Sequence, residues 1–166
     1  MGIEIEFKKC GNLLVKKDGT VWITEKIPFP VFFKYNKNGE SSGYLFARLN
    51  ERDIAVHRLM GKTWVKNPCP TIFDRIDHIS RVKTDNSYQN LRWVNAHLNA
   101  INRENTRCTQ FDREKQMWKT CIMCKGKLIF CGYFKTFCEG HCASMLRKKQ
   151  LYNEIYTNLI NGTIFP

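Results

Sequence analysis

RIDHISRVKTDNSYQNLRWVNAHLNAIN, residues 75–102, places Asp77-His78 after a short apolar approach, then repeats asparagine at 86, 90, 95, 99 and 102 around Leu91-Arg92-Trp93-Val94. Two readings of this stretch compete. Asp, Asn and His are common turn-forming and capping residues. The same residue types also make a metal site with a base beside it. Successive residues of a regular strand point to opposite faces, so Asp77 and His78 can share one site only where a strand end bends. Asn99, in the first turn of a following helix, would add a neutral oxygen donor. An oxygen set with one carboxylate suits Mg²⁺ or Mn²⁺ that keeps several waters and takes its other ligands from substrate phosphates.

Outward from this stretch, residues 54–66 (IAVHRLMGKTWVK) predict a short helix ending before Asn67-Pro68, and residues 96–107 predict a second helix. Residues 1–50 read as β-rich. Leu13-Leu14-Val15, the turn Lys17-Asp18-Gly19 and Val21-Trp22-Ile23 predict a hairpin. Pro28 and Pro30 argue against a central strand around Phe29. Phe32-Phe33 precede a polar break at residues 36–39, after which Tyr44-Leu45-Phe46 returns as a strand. Past residue 108 the pattern changes to a small sheet from Gln116–Ile122 and Leu128–Tyr133 about the Lys125-Gly126 turn, followed by a helix over Phe137–Tyr156. A boundary falls in the polar string at 105–112, dividing the chain into 1–107 (a lead-in, 1–53, and a core, 54–107) and 108–166.

The 166 residues carry 27 Lys and Arg against 15 Asp and Glu, a formal charge of +12 that internal ion pairs cannot absorb. Nucleic acid is the default partner for such a surplus, because each neutralised phosphate releases counterions. An anionic membrane is the rival partner, but no basic amphipathic helix stands out and no run reaches the length of a membrane span. The N-terminus lacks the charged and apolar regions of a signal peptide, so the expected setting is intracellular and not secreted. There the eight cysteines would be thiols or metal ligands and not disulfides.

The ordered set Ile76-Asp77-His78, Thr84-Asp85-Asn86, Asn90-Leu91-Arg92-Trp93-Val94 and Asn99 resembles the HNH (ββα-metal) nucleases, especially the homing endonucleases of phages, viruses and introns. Val56-His57-Arg58-Leu59 and Trp64-Val65-Lys66-Asn67-Pro68 look like that branch's lead-in helix. The resemblance implies a role for each matching residue. His78 is the general base that takes a proton from the attacking water, as a neutral imidazole can near pH 7. Asp77 and Asn99 hold one Mg²⁺ or Mn²⁺ on the phosphate and the leaving 3′ oxygen. Asn90 braces the loop and orients His78, and Trp93 is core. Ser80 and Arg81 depart from the acidic residue and glycine usual there, and Asp85 from a common Asn. His57 reads as a packed helix residue, and Asn86, Asn95 and Asn102 as loop and helix residues.

In the C-terminal third, Cys121-x-x-Cys124 with Cys138, His141 and Cys142 has the spacing of a zinc site. The competing resemblance is to the small AP2 DNA-binding domain, a three-stranded sheet with a helix. It rests on Trp118-Lys119-Thr120-Cys121-Ile122, Lys125-Gly126-Lys127, Gly132-Tyr133-Phe134-Lys135-Thr136 and Glu139-Gly140-His141. Zinc is not favoured, since Cys121 and Cys124 on a strand face opposite sides. An AP2-like sheet would offer Arg113, Lys115, Lys119, Lys125, Lys127 and Lys135 to double-stranded DNA, with Arg103 added from the nuclease part.

The expected fold is α+β: an HNH (ββα-metal) core behind a β-rich lead-in, plus an AP2-like sheet-and-helix domain. The expected function is site-specific DNA cleavage with one divalent ion per site, leaving 5′-phosphate and 3′-hydroxyl ends. A monomer would nick, and a homodimer or two sequential nicks would cut both strands. The expected setting is host cytoplasm or nucleus, within a phage, viral or intron mobile element. The alternative is a non-catalytic DNA-binding regulator that keeps the scaffold.

Overall fold

Leu13, Val15 and Val21 are buried while their strand neighbours are more exposed, and this alternation builds the first hairpin of the chain. A computed structural model describes residues 6–10, 12–49, 51–103 and 108–162. It is a mixed α+β chain of several small antiparallel sheets with three α-helices among the described residues. Its contacts divide into two units, Met1–Asn95 and Ala96–Pro166. The boundary expected after residue 107 adjoins residues 104–107, which lie outside the described residues. By packing, the helix over Ala96–Asn102 belongs to the second unit.

The first unit opens with a sheet in the order β1 (Phe7–Cys10), β2 (Leu13–Lys16), β3 (Val21–Thr24) and β4 (Ile27–Pro28). The predicted hairpin is present, with Val15 opposite Val21, and Pro28 lies on the edge strand where its missing N–H removes no ladder bond. Next comes a sheet in the order β5 (Val31–Tyr35), β6 (Ser41–Leu49) and β7 (Arg52–Ala55). Residues 54 and 55, expected to open a helix, instead finish β7, where Ala55 pairs with Phe46. Helix α1 (Val56–Trp64) then buries Val56, Leu59 and Met60 at i, i+3 and i+4. These three join Leu13, Val15, Val21, Ala47 and Leu91 in one core. A two-stranded ribbon, β8 (Arg75–His78) with β9 (Leu91–Val94), completes the unit. Trp93, expected in the core, is half-buried and fastens the ribbon to the end of α1 by donating its indole N–H to the Val65 carbonyl at 2.8 Å.

The second unit begins with α2 (Ala96–Asn102), which ends at Asn102 where a helix to 107 was expected; residues 104–107 are not described. The sheet β10 (Thr109–Asp112), β11 (Met117–Cys124) and β12 (Lys127–Phe134) follows in that order. Lys125 and Gly126 both take positive φ, 48° and 74°, as a two-residue hairpin turn requires. Helix α3 (Phe137–Ile160) starts at a capping box. The Thr136 side chain accepts from the Glu139 N–H, and the Glu139 carboxylate accepts from the Thr136 N–H. With no helix breaker before Gly162, α3 runs four residues past the expected Tyr156. No helix among the described residues is long and apolar enough to cross a membrane.

Candidate active site

Strand β8 delivers Asp77 and His78 at its end, where Asp77 pairs with Arg92 and His78 with Leu91 of β9. Both side chains are buried, at 8% and 4% exposure. Cross-strand partners share a face, so Arg92 reaches Asp77 directly: its Nε and Nη2 both donate to Asp77 Oδ2, at 3.0 and 2.9 Å. The guanidinium compensates a carboxylate that would otherwise be buried at high cost. Any divalent ion bound at Asp77 must share that carboxylate with Arg92 or displace it.

The ring of His78 is fixed from two sides. Its Nε2 lies 3.1 Å from Asn86 Oδ1. Asn86 Nδ2 donates to the Thr84 carbonyl at 3.2 Å, which turns the amide so that its oxygen faces the imidazole. An acceptor at Nε2 requires the proton there, leaving the basic lone pair on Nδ1. On the other side the ring meets His57 at 5.1 Å between centroids and Tyr44 at 5.9 Å. Burial lowers the His78 pKa below its ordinary value, and the bond to Asn86 opposes that shift. His57 is pushed down to about 4, chiefly by burial and then by the neighbouring His78 and Arg58, and its buried Nδ1 makes no hydrogen bond among the described residues. Burial thus favours the neutral form of both imidazoles.

Asn90, at 8% exposure, clamps the loop after β8. Its Oδ1 accepts from the Ser80 N–H at 2.8 Å, its Nδ2 donates to the Asp85 carbonyl at 2.8 Å, and its own carbonyl accepts from the Ile79 N–H at 2.7 Å. Asp85 accepts from the N–H and hydroxyl of Ser87, a turn-forming role. Arg81 takes φ 69°, the left-handed conformation that a glycine holds without strain. This is the place where the resemblance puts a glycine.

Asn86 lies in the loop as expected and makes a contact there that the sequence did not disclose. Read as a loop asparagine, it is 4% exposed and holds the imidazole. The first hairpin buttresses it. A Cβ at Gly19, whose φ is 93°, would stand 2.6 Å from the Asn86 carbonyl carbon, and the Tyr88 N–H donates to the Lys17 carbonyl at 2.9 Å. Nothing in the local sequence connects residue 19 to residue 86. His57 is packed as expected, but it packs against His78.

Asn99 is half-buried on α2, in the second unit. Arg103, Arg113, Lys115, Lys119, Lys125, Lys127 and Lys135 are all exposed. Lys115 lies over the Tyr133 ring at 4.2 Å. Lys119 projects from β11, Lys127 opens β12, and Lys125 sits in the turn between them. The zinc candidates are dispersed. Cys124 packs against Cys108, Ile122 and Leu151, whereas Cys138 and Cys142 are exposed on α3. His141 stacks on Phe137. No group of three or more His, Cys, Asp or Glu among the described residues is placed to hold a metal ion.

No family model matches the chain. An uncharacterized HNH endonuclease of Acanthamoeba polyphaga mimivirus is 30% identical to it over 101 residues, covering 58% of this chain and 28% of that protein. The chain thus spans a little over a quarter of that relative's length. Among solved structures, the HNH homing endonuclease I-HmuI aligns with a TM-score of 0.45 and 23% identity, covering 59% of this chain and 57% of that one. At low identity, the chain is similar to HNH endonucleases.

Proposed function

We propose that this chain is a site-specific DNA endonuclease of the HNH type, with a nuclease part over 1–107 and a DNA-binding module over 108–166. The observation that carries this reading is the buried Asp77-His78 pair, with the His78 ring fixed by Asn86 and the following loop closed by Asn90. A histidine held as the Nε2–H tautomer presents Nδ1 as a base. His78 takes a proton from water as that water attacks a phosphodiester; the P–O3′ bond breaks, leaving a 5′-phosphate, and the departing 3′ oxygen takes a proton from solvent water to become the 3′-hydroxyl. Buried imidazoles with lowered pKa suit this role, because the base must be unprotonated near neutral pH. By the resemblance, Asp77 and Asn99 would be the oxygen donors for one Mg²⁺ or Mn²⁺, which would supply charge stabilisation as the phosphodiester breaks. Asn90 is a positioning residue acting through the loop backbone.

In the second unit, the three-stranded sheet backed by α3 fits an AP2-like module that docks β10–β12 into the major groove of double-stranded DNA. Its exposed cations would meet phosphates. A monomer with one such site nicks; cutting both strands takes a homodimer or two events. A phage, viral or intron mobile element inside a host cell is the natural setting for this activity.

A second reading is favoured by one contact. The ion pair of Asp77 with Arg92 is what a non-catalytic DNA-binding scaffold would keep to neutralise its buried carboxylate. Plasmid nicking separates the two. With Mg²⁺ the parent protein should nick supercoiled DNA, EDTA should stop it, and His78→Ala should lower the rate by about 10²–10⁴-fold, the usual worth of a general base. Undiminished cutting by His78→Ala, or no cutting by the parent, overturns the catalytic reading.

A further inference from the structure

Strand β6 carries two faces. Leu45, Ala47 and Leu49 pack into the core of the first unit. Tyr44, Phe46 and Arg48 alternate with them and form the opposite face. This outer face begins at the active site, where the Tyr44 ring lies 5.0 Å from His57 and 5.9 Å from His78. It continues along β6 to Phe46, whose ring sits 6.4 Å from that of its cross-strand partner Phe32.

Each of these three rings carries a cation. Lys83 Nζ stands 4.7 Å over Tyr44, Lys34 Nζ 4.9 Å over Phe46, and the Arg48 guanidinium 5.5 Å over Phe32. Lys83 comes from the loop that follows His78, and it is held across β6 by donating to the Ser42 carbonyl at 3.0 Å. Gly43, with φ 75°, makes room for its stem: a Cβ there would stand 3.1 Å from Lys83 Cδ. Asp53, 13% exposed, accepts from Arg48 Nε at 2.7 Å and from Lys34 Nζ at 2.8 Å; the two cations remain 65% and 44% exposed. The carboxylate anchors them without covering them.

We propose that Lys83, Lys34 and Arg48 form a phosphate-binding track that carries one DNA strand away from the active site along the outer face of β6. The cations come from three segments, Lys34 from β5, Arg48 from β6 and Lys83 from the loop after His78, and Lys34 and Arg48 share the Asp53 carboxylate. Three ordered cations against one inward carboxylate give the face a net positive charge. Seating the cations on rings lowers the entropy lost when they meet phosphates. The track rests on the proposed DNA-cleaving function, which supplies the polyanion and the reason for the track to begin at His78.

The experiment measures binding of the full-length protein to a fluorescein-labelled random-sequence duplex by anisotropy, in EDTA, across a KCl series. The triple variant Lys34→Gln, Arg48→Gln, Asp53→Asn lowers the formal charge by only one. If the track is real, the slope of log K against log salt becomes shallower by about 1.8, at about 0.9 for each phosphate no longer neutralised. Adding Lys83→Gln should bring the total to about 2.7 on the same scale. A change of about one unit or less in the triple variant, the effect of net charge alone, overturns the track. Should the triple variant melt early by circular dichroism, Lys83→Gln alone decides, with a shift of about 0.9 expected and an unchanged slope refuting the proposal. A shallower slope without any Mg²⁺-dependent nicking by the parent protein would remove the nuclease reading and leave the track standing.

Discussion

The loop between β8 and β9 and the sheet β10–β12 both carry residues assigned to DNA, but they are built on opposite principles. In the loop the functional groups are buried and mutually fixed: His78 by Asn86, Asp77 by Arg92, the backbone by Asn90. On the sheet they are exposed cations spread over two strands and their turns. A buried polar network works only when every member is satisfied, so each residue is needed in kind and in place. A charged face acts through a sum, and any one lysine contributes a small share. Substitutions in the loop should therefore change the rate sharply, while those on the sheet should change affinity gently.

Beyond the loss with His78→Ala, the largest effect that tests this contrast is acid sensitivity. His57 is held near pKa 4, below its ordinary 6.5, so the unfolded chain takes up the proton first as pH falls. Its contribution is full above about pH 6.5 and is lost as pH falls towards 4, an effect on the order of 3 kcal/mol at most. Urea midpoints at pH 7 and pH 4 should show a drop in the parent that shrinks in His57→Phe. Equal drops in both proteins would place the acid sensitivity elsewhere.

Asn86→Ala comes next. Freeing the imidazole should lower the nicking rate by about 10–100-fold, the usual cost of losing an orienting partner, with affinity for DNA unchanged. Gly19→Ala should act in the same direction from a distant point of the sequence, by displacing Asn86. If either variant loses affinity and keeps its rate, the network does not position His78.

Arg81→Gly relieves a left-handed residue and should raise stability by up to about 1 kcal/mol, read as a higher melting temperature with nicking retained. A lower melting temperature would mean that the arginine side chain holds the loop more strongly than its backbone strains it. The smallest effects belong to the sheet. Lys119→Gln or Lys127→Gln should each reduce the salt slope by about 0.9 and leave the rate at saturating DNA intact. A fall in that rate would erase the distinction between the two regions.

Much of the fold was legible in the sequence. The hairpin of residues 13–23, the return strand through Tyr44, the strand bearing Asp77 and the long helix from Phe137 were expected from apolar patterning and turn residues, which are local signals. The helix assigned to residues 54–66 starts later than its apolar pattern suggested, because Ile54 and Ala55 are claimed by pairing to β6, a non-local interaction. Arg81 shows the converse. Its departure from glycine was visible in the sequence, but the cost of that departure appears only with φ 69° in view.

By itself, the sequence determined the residue types at the site. Asp77, His78 and Asn90 stand out in the sequence through their resemblance to the HNH pattern, and all three are buried. Tertiary structure alone decided which neighbours complete them. Asn86 is one of five similar asparagines until folding buries it against His78; His57 is a helix residue until α1 turns its ring onto that imidazole; Arg92 is one arginine among many until pairing sets it opposite Asp77. Chemistry is written in residue identity, but hydrogen bonds, ion pairs and ring contacts depend on distances between segments far apart in the chain.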